Sequence, residues 1–238
     1  MANGKPNLYD SLRLYFSQVA PLQMEPVLIF DTSAVIDLEQ DAQRRYGLKK
    51  SHEFLDTLQQ VTGATFIFPE RVKEELVLHQ KYHSVSGRPE ISARTLEKIA
   101  TFASTENWRV DLFSDEHQEK VDGTFYFARL LQQQCCNGKK LSRDPISKVD
   151  WDVIDTAISW GMFAEDSYRQ NMAAQSTHPF QGVPRISVLS SDYHIYWTLG
   201  RLFGEPEGVE LESHLKPMNP RLYNFMGGEQ CIASNSHP

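Results

Sequence analysis

Residues 26–36 read PVLIFDTSAVI, and this stretch decides the fold class. Its first five residues form a short apolar run with β-branched members, which predicts a buried parallel strand. Asp31 ends the run, two hydroxyl residues follow it, and the apolar pattern then resumes with helical spacing. The stretch therefore predicts a strand, a turn that begins at Asp31, and a helix whose start Thr32 and Ser33 are placed to cap.

Two more strands are followed by helices in the same way. Residues 64–68 (ATFIF) predict a second strand, which Pro69 ends, and residues 70–79 predict the helix after it. Residues 185–189 (RISVL) predict a further strand, which leads into a helix over 193–202. Strands that alternate with helices are typical of an α/β domain with a parallel sheet.

The rest of the chain is predicted to be mainly helical or irregular. Apolar spacing and composition favour helices over 91–103, 116–134 and 148–163, a short strand over 108–113, and an irregular loop over 164–184. The four tryptophans and the run at 125–127 (FYF) fall in segments with apolar spacing, so we expect them in the core. Residues 205–238 are rich in Pro, Gly and Asn, which predicts a loosely packed tail.

The composition of the chain argues against several classes of protein. The chain has 238 residues and 40% hydrophobic residues, which is enough for one sizeable domain or two small ones. No apolar run reaches the length of a membrane span of roughly 18 residues, and no secretory signal is visible, so we expect no membrane partner. Three cysteines suit a reducing cytoplasm, which is the predicted location. The net charge of −7 argues against a protein that coats nucleic acid, but it allows an enzyme whose carboxylates bind a metal ion.

Four acidic residues are predicted to meet at one edge of the sheet. Asp31 and Asp192 follow strands, Glu75 lies in the helix after the second strand, and Asp150 lies at the start of the helix over 148–163. Converging carboxylates repel one another unless a cation neutralises them, and ligands that are all oxygen favour Mg²⁺ or Mn²⁺ over zinc. One or two such ions stabilise the charge that develops on a phosphodiester, so the pattern predicts phosphoryl-transfer chemistry.

Each acid also has a simpler interpretation when it is taken alone. A single carboxylate at such a position is more often a helix cap or a solvated side chain. Ser147 and Asp150, for example, have the spacing of a capping box, in which each side chain hydrogen-bonds to the other residue's backbone. The functional interpretation therefore depends on the four acids acting together.

The four stretches that contain these acids resemble the motifs of PIN-domain ribonucleases. Residues 27–36 (VLIFDTSAVI) resemble the first motif, 68–76 (FPERVKEEL) the second, 146–157 (ISKVDWDVIDTA) the third and 188–194 (VLSSDYH) the fourth. They stand in the family's order, and the resemblance of which they are the marks extends over roughly half of the chain. Unlike the small toxin members of this family, the chain has long inserts.

The resemblance implies a three-layer α/β/α sandwich with a mostly parallel central sheet. Its implied organisation is an N-terminal extension at 1–24, a PIN-like domain at 25–204 with helical inserts at about 80–145 and 164–184, and a C-terminal tail at 205–238. It also implies metal-dependent endonucleolytic cleavage of RNA by a cluster of acids that are both catalytic and metal-binding, with Mg²⁺ or Mn²⁺ as cofactor. Those acids are Asp31, Glu75, Asp150 and Asp192, and the hydroxyls of Ser33 and Ser190 match positions that support the cluster.

Several alternatives stay open at this point. Glu74 competes with Glu75, while Asp152 and Asp155 compete with Asp150, which we prefer because Ser147 and the later apolar residues match the family. A non-catalytic PIN-like module that binds RNA or a protein is the main alternative function. A phosphatase of the haloacid-dehalogenase type is disfavoured, because it needs an Asp where Ser33 stands.

The partners follow from the same resemblance. RNA is the expected substrate, with single-stranded DNA as an alternative. The basic stretch at 139–148 is most simply interpreted as a solvated loop, and contact with RNA phosphates beside the acidic site is the alternative. A toxin of this family would need a cognate inhibitor, or antitoxin, protein. Small family members often pair, so a homodimer is a further expectation.

Overall fold

The structure is a computed structural model, and it describes residues 25–82, 89–102, 115–137, 146–173, 184–190, 192, 194–195, 198–199, 202, 209–210 and 221–225. Its strands are β1 (Glu25–Phe30), β2 (Thr65–Ile67), β3 (Pro184–Ser190), β4 (Val209–Glu210) and β5 (Arg221–Phe225). Its helices are α1 (Thr32–Tyr46), α2 (Glu53–Thr62), α3 (Glu70–His79), α4 (Ala93–Ala100), α5 (Asp115–Asn137) and α6 (Lys148–Ala173). Helical backbone also occurs at 194–195, 198–199 and 202.

The five strands form one sheet in the order β2-β1-β3-β5-β4. β1 lies between β2 and β3 and runs parallel to both, with Val27 opposite Thr65 on one side and Ile186 on the other. β5 runs antiparallel to β3, and β4 antiparallel to β5. The predicted α/β class with a parallel sheet is therefore confirmed for β1, β2 and β3, while the complete sheet is mixed.

Aromatic packing fixes the end of β1. The Phe30 ring stacks on Phe68, with 4.6 Å between the ring centroids, and meets Phe66 edge-on at 4.9 Å. Phe102 closes the cluster from the segment after α4. Because Phe30 and Phe68 are fully buried, the chain immediately after each of these residues starts from a rigid position.

Helix α6 is the main helix against the parallel strands. It packs on β1 and β3 and also contacts α3 and α5. The apolar stripe predicted for it is buried as expected and comprises Val153, Ile154, Ala157 and Ile158. The predicted capping box begins this helix: the Asp150 backbone N–H donates to Ser147 Oγ, and the Ser147 backbone N–H donates to Asp150 Oδ2, both at 3.0 Å.

Three parts of the fold differ from the sequence analysis. Helix α2, which ends at Gly63 in the left-handed conformation (φ 62°), was not predicted. Helix α6 continues to Ala173, so the predicted loop at 164–184 is wrong over its first ten residues; polar residues are compatible with the exposed face of a helix. The predicted tail contributes β4 and β5 to the sheet, so it is not loosely packed at these residues.

Two of the predicted segments lie in parts of the chain that the structure does not describe. The N-terminal extension at 1–24 and the short strand at 108–113 lie outside the described residues. Within the described part of the chain, no helix combines the length and the apolar composition that a membrane crossing requires.

Candidate functional site

Asp31 directly follows β1, the middle one of the three parallel strands, so it lies at the end of a strand as the sequence predicts. Its backbone N–H donates to the Leu189 carbonyl at 3.0 Å, which extends the β1–β3 ladder by one bond and brings Asp31 level with the end of β3. Asp31 also occupies the N-cap position of α1, yet its side chain makes no capping hydrogen bond. The expectation that Ser33 caps this helix is wrong, because its hydroxyl donates to the Asp31 carboxylate.

The Asp31 carboxylate is buried, with 2% of the residue exposed. Its Oδ2 atom accepts hydrogen bonds from Ser33 Oγ at 2.5 Å and from Ser190 Oγ at 2.7 Å. Among the described residues, none donates a hydrogen bond to the other oxygen, Oδ1. Burial raises the pKa of Asp31 from 3.8 to about 6 although the two hydroxyls lower it, and the negative charges of Asp150 and Asp192 raise it as well.

Asp192 is held from the same side of the site. Its backbone N–H donates to Ser190 Oγ at 2.9 Å, so one hydroxyl contacts both Asp31 and Asp192. Asp192 Oδ1 accepts from the His194 backbone N–H at 2.6 Å and lies 3.0 Å from His194 Nδ1. An ionised carboxylate only accepts, so Nδ1 carries the proton in this bond. The remaining oxygen, Oδ2, has no donor among the described residues.

His194 is a residue that the sequence analysis did not single out. A histidine two residues after an acid at the start of a helix can reach the acid's side chain with both its backbone N–H and its ring. That spacing was the available signal. The two bonds orient the Asp192 carboxylate.

Asp150 and Glu75 complete the group from two different helices. Burial raises the pKa of Asp150, hydrogen bonds from Ser147 lower it, and the charges of Asp192 and Glu75 raise it. Glu75 is half-buried on α3, whereas its neighbour Glu74 is exposed. Of the two competing glutamates, Glu75 is therefore the one whose charge acts on the site.

The competing acids of α6 have different positions. Asp152 Oδ2 accepts a hydrogen bond of 3.2 Å from the Arg71 backbone N–H, in the first turn of α3. It therefore satisfies one of the unpaired amides at the start of that helix. Asp155 follows about one turn later on α6. The structure thus brings Asp150 into electrostatic contact with the other acids and gives Asp152 a capping role.

The oxygen donors of these residues suit a hard divalent cation, but their side chains are not gathered closely around one point. Four carboxylates and two hydroxyls offer only oxygen ligands, which Mg²⁺ and Mn²⁺ prefer. Within the described part of the chain, however, no three or more His, Cys, Asp or Glu side chains are gathered closely enough to hold a metal ion. The acids nevertheless lie within electrostatic range of one another, because Asp150 and Asp192 raise the pKa of Asp31, and Asp192 and Glu75 raise that of Asp150.

The aromatic residues follow the sequence prediction only in part. Trp160 is buried, and Phe125 packs edge-on against Trp151 with 5.4 Å between the ring centroids. Tyr126 and Phe127 were expected in the core, but they are 65% and 53% exposed, so that expectation is wrong. The other two tryptophans and the basic residues at 139–143 lie outside the described residues.

Comparison of the chain with protein-family models, curated proteins and solved structures finds no match. The resemblance to PIN-domain ribonucleases therefore depends on the four sequence motifs alone.

Proposed function

We propose that this protein is a metal-dependent endoribonuclease that hydrolyses RNA phosphodiester bonds, and that its fold is the three-layer α/β/α sandwich of PIN domains. The observation that carries the proposal is the state of Asp31. This carboxylate is buried at the end of β1, accepts hydrogen bonds through one oxygen only, and lies within the field of Asp150 and Asp192. Together with Glu75, these acids form the proposed catalytic and metal-binding group.

The cost of this arrangement supports a functional interpretation. A buried carboxylate whose pKa is raised by burial and by like charges destabilises the folded state at neutral pH. Asp31 gives the fold no helix cap in return. Strongly perturbed acids without a structural task are typical of functional sites.

The chain's own residues would position the group. Ser190 contacts both Asp31 and Asp192, Ser33 fixes the Asp31 carboxylate, and His194 fixes that of Asp192. Each aspartate of the site keeps an oxygen that no described residue donates to. These oxygens, with the Glu75 carboxylate, would hold one or two Mg²⁺ or Mn²⁺ ions. A bound ion supplies charge stabilisation for the phosphodiester transition state.

A second candidate function is a non-catalytic PIN-like module that binds RNA or a protein. The observation that favours it is the absence, within the described residues, of acids gathered closely enough to hold a metal ion. Under this alternative the acids would remain apart even when divalent cations are present.

RNA cleavage tests the proposal directly. Wild-type protein and the Asp31→Asn variant are incubated with a mixed pool of structured and single-stranded RNA in Mn²⁺, Mg²⁺ or EDTA. We expect cleavage only with metal, and a loss of roughly a hundredfold or more in the variant, because the site loses a charged ligand. Glu74→Gln is the matched control: Glu74 is exposed and adjacent to Glu75, so this variant should cleave as the wild type does.

Calorimetric titration with Mn²⁺ separates the two candidate functions. Binding that Asp31→Asn weakens, together with cleavage, would establish the nuclease. A wild-type protein that neither binds Mn²⁺ nor cleaves RNA would contradict the nuclease proposal and favour the non-catalytic module.

A further inference from the structure

Helix α5 places a cationic side chain beside the first turn of α6. Thr124 of α5 contacts Met162, far along α6, whereas Phe125 and Arg129 contact Trp151. Residues of α5 after Thr124 thus contact the part of α6 that is nearer to its start. Trp151 directly follows Asp150, so Arg129 lies beside the turn that carries one of the four acids.

Arg129 is held in place by aromatic rings. Its guanidinium carbon lies 4.8 Å from the centroid of the Phe125 ring and 5.6 Å from that of Trp151. Such cation–π contacts use the face of the guanidinium and leave the N–H groups on its edge free to donate. Arg129 is exposed and forms no ion pair with any acid of the described residues. An ordered cation that has no anionic partner among the described residues is suited to bind a phosphate.

Exposed aromatic and apolar side chains surround this cation. Tyr126 is 65% exposed and precedes Arg129 by three residues, so the two share one face of the helix. Phe127 and Leu130 are exposed next to them. We call Tyr126, Phe127, Arg129 and Leu130 the α5 surface. Exposed aromatic rings beside a cation are the combination on which unpaired bases stack.

Charge favours a polyanion as the occupant of this surface. The chain carries a net charge of −7, yet residues 123–143 (GTFYFARLLQQQCCNGKKLSR) contain four cations and no acid. The acids of α5 are confined to its first eight residues, before Gly123. All the charged side chains in the segment that begins with the α5 surface are thus positive, and positive charge attracts phosphates.

We propose that the α5 surface binds single-stranded RNA, with Arg129 donating to a backbone phosphate and Tyr126 stacking on a base. This inference rests on the proposed function and adds the class of substrate to it. Single strands are favoured over duplexes, because an exposed ring can stack only on a base that is free of its partner.

Fluorescence anisotropy tests the inference without cleavage. The full chain is titrated against a fluorescein-labelled single-stranded RNA of mixed sequence in EDTA, over a series of salt concentrations. We expect Tyr126→Ala to raise Kd about tenfold, because one stacked base is lost. Arg129→Gln should weaken binding severalfold and reduce the slope of log K against log salt by about 0.7, the effect of one phosphate contact on a single strand. Arg129→Lys keeps the charge and should restore that slope.

Matched controls come from another part of the surface. Tyr82 is 57% exposed at the end of α3, and Arg94 is exposed on α4, so Tyr82→Ala and Arg94→Gln remove the same groups away from α5. Their affinity for RNA should equal that of the wild type, and all variants should keep its melting temperature.

The outcomes separate the two proposals. If wild type cleaves and binds RNA and the α5 variants bind it equally well, the inference is wrong while the nuclease proposal stands. Tighter binding to a duplex of the same sequence would also overturn it, as would loss of self-association in Tyr126→Ala with RNA affinity unchanged. If wild type neither binds nor cleaves RNA, both proposals fail.

Discussion

Asp31 and Glu39 are both buried carboxylates that form no ion pair with a described residue, and they differ in which of their oxygens accept hydrogen bonds. Glu39 lies on α1, where its Oε1 accepts from Ser51 Oγ at 2.6 Å and from Gln43 Nε2 at 3.1 Å. Its Oε2 accepts from the Thr95 hydroxyl. Both hydrogen bonds to Asp31 reach Oδ2 alone.

The difference is the one expected between a structural acid and the proposed functional acid. The donors to Glu39 come from α1, from the turn before α2, and from α4, so the carboxylate fastens three parts of the chain and keeps no oxygen for a ligand. Asp31 uses one oxygen for positioning and keeps the other. Burial alone does not distinguish these two residues; the number of oxygens already bonded within the protein does.

The largest expected effect is the difference in stability between Asp31→Asn and Glu39→Gln, in which an amide replaces the carboxylate. In Asp31→Asn the amide oxygen can keep the bonds from Ser33 and Ser190, while the NH₂ group replaces the oxygen that no described residue donates to. Since the variant also removes a buried, repelled charge, we expect it to gain up to about 3 kcal/mol in free energy of unfolding at pH 7.5 without metal. In Glu39→Gln the NH₂ group replaces either Oε1 or Oε2, and both of these oxygens accept hydrogen bonds in the wild type. The NH₂ group therefore faces a donor in either orientation, which should cost about 1–3 kcal/mol of stability.

Urea unfolding of both variants in EDTA measures this difference in stability, which is at most about 6 kcal/mol. The m-value should remain that of the wild type, so that the midpoints report stability. Equal destabilisation of the two variants would contradict the distinction between them.

The pH dependence of stability gives the next largest effect. Burial raises the pKa of Asp31 from 3.8 to about 6, so the folded protein holds this proton more tightly than the unfolded chain does. The contribution of Asp31 is therefore most favourable below about pH 4, falls as pH rises to about 6, and is constant above it. The fall amounts to about 3 kcal/mol, and Asp150, whose pKa is also raised, acts in the same direction.

Unfolding without metal at pH 4.5, 5.5 and 7.5 tests this expectation. Asp31→Asn should lose much of the decline between the first and last of these values, whereas Glu39→Gln should keep it. A decline of the same size in Asp31→Asn would show that Asp31 is not the group that titrates.

The smallest effect on stability and activity is expected at Asp152, which lies near the site but caps the start of α3. Asp152→Asn keeps an oxygen that can accept from the Arg71 backbone N–H, so the loss of stability should stay below about 1 kcal/mol. RNA cleavage and Mn²⁺ affinity should equal those of the wild type, whereas Asp150→Asn should reduce both. A cleavage defect in Asp152→Asn as large as that of Asp150→Asn would assign Asp152 to the site.

The sequence predicted those elements whose signal is local. Apolar runs located β1, β2 and β3, and spacing located α3 with the bounds that the structure has. β5 could not be located in this way, because what makes it a strand is its pairing with β3, from Ile186 opposite Phe225 to Ser190 opposite Arg221. Tertiary pairing of this kind leaves little trace in the strand's own five residues.

For the site, strand ends and motif order pointed to the acids but not to their partners. Asp31 and Asp192 stand out because each follows an apolar run. Glu39 could not be identified in this way, because nothing in the α1 sequence indicates that the hydroxyls of Ser51 and Thr95 donate hydrogen bonds to it. The exposure of Tyr126 also could not be predicted, because apolar spacing does not say whether a helix has neighbours on every side.

The hydrogen bond between Asp31 and Ser190 also bears on when the proposed nuclease would become active during its synthesis. Ser190 lies 159 residues after Asp31, and β3 must pair with β1 before the two side chains meet. At a translation rate of about 5–20 residues per second, on the order of ten seconds separates the synthesis of the two residues. A nascent chain that already contains Asp31, Glu75 and Asp150 therefore still lacks the hydroxyl and the acid that complete the group. A nuclease built in this way would emerge from the ribosome inactive, and would be unable to cut the message that encodes it until the last strand of the parallel sheet had folded.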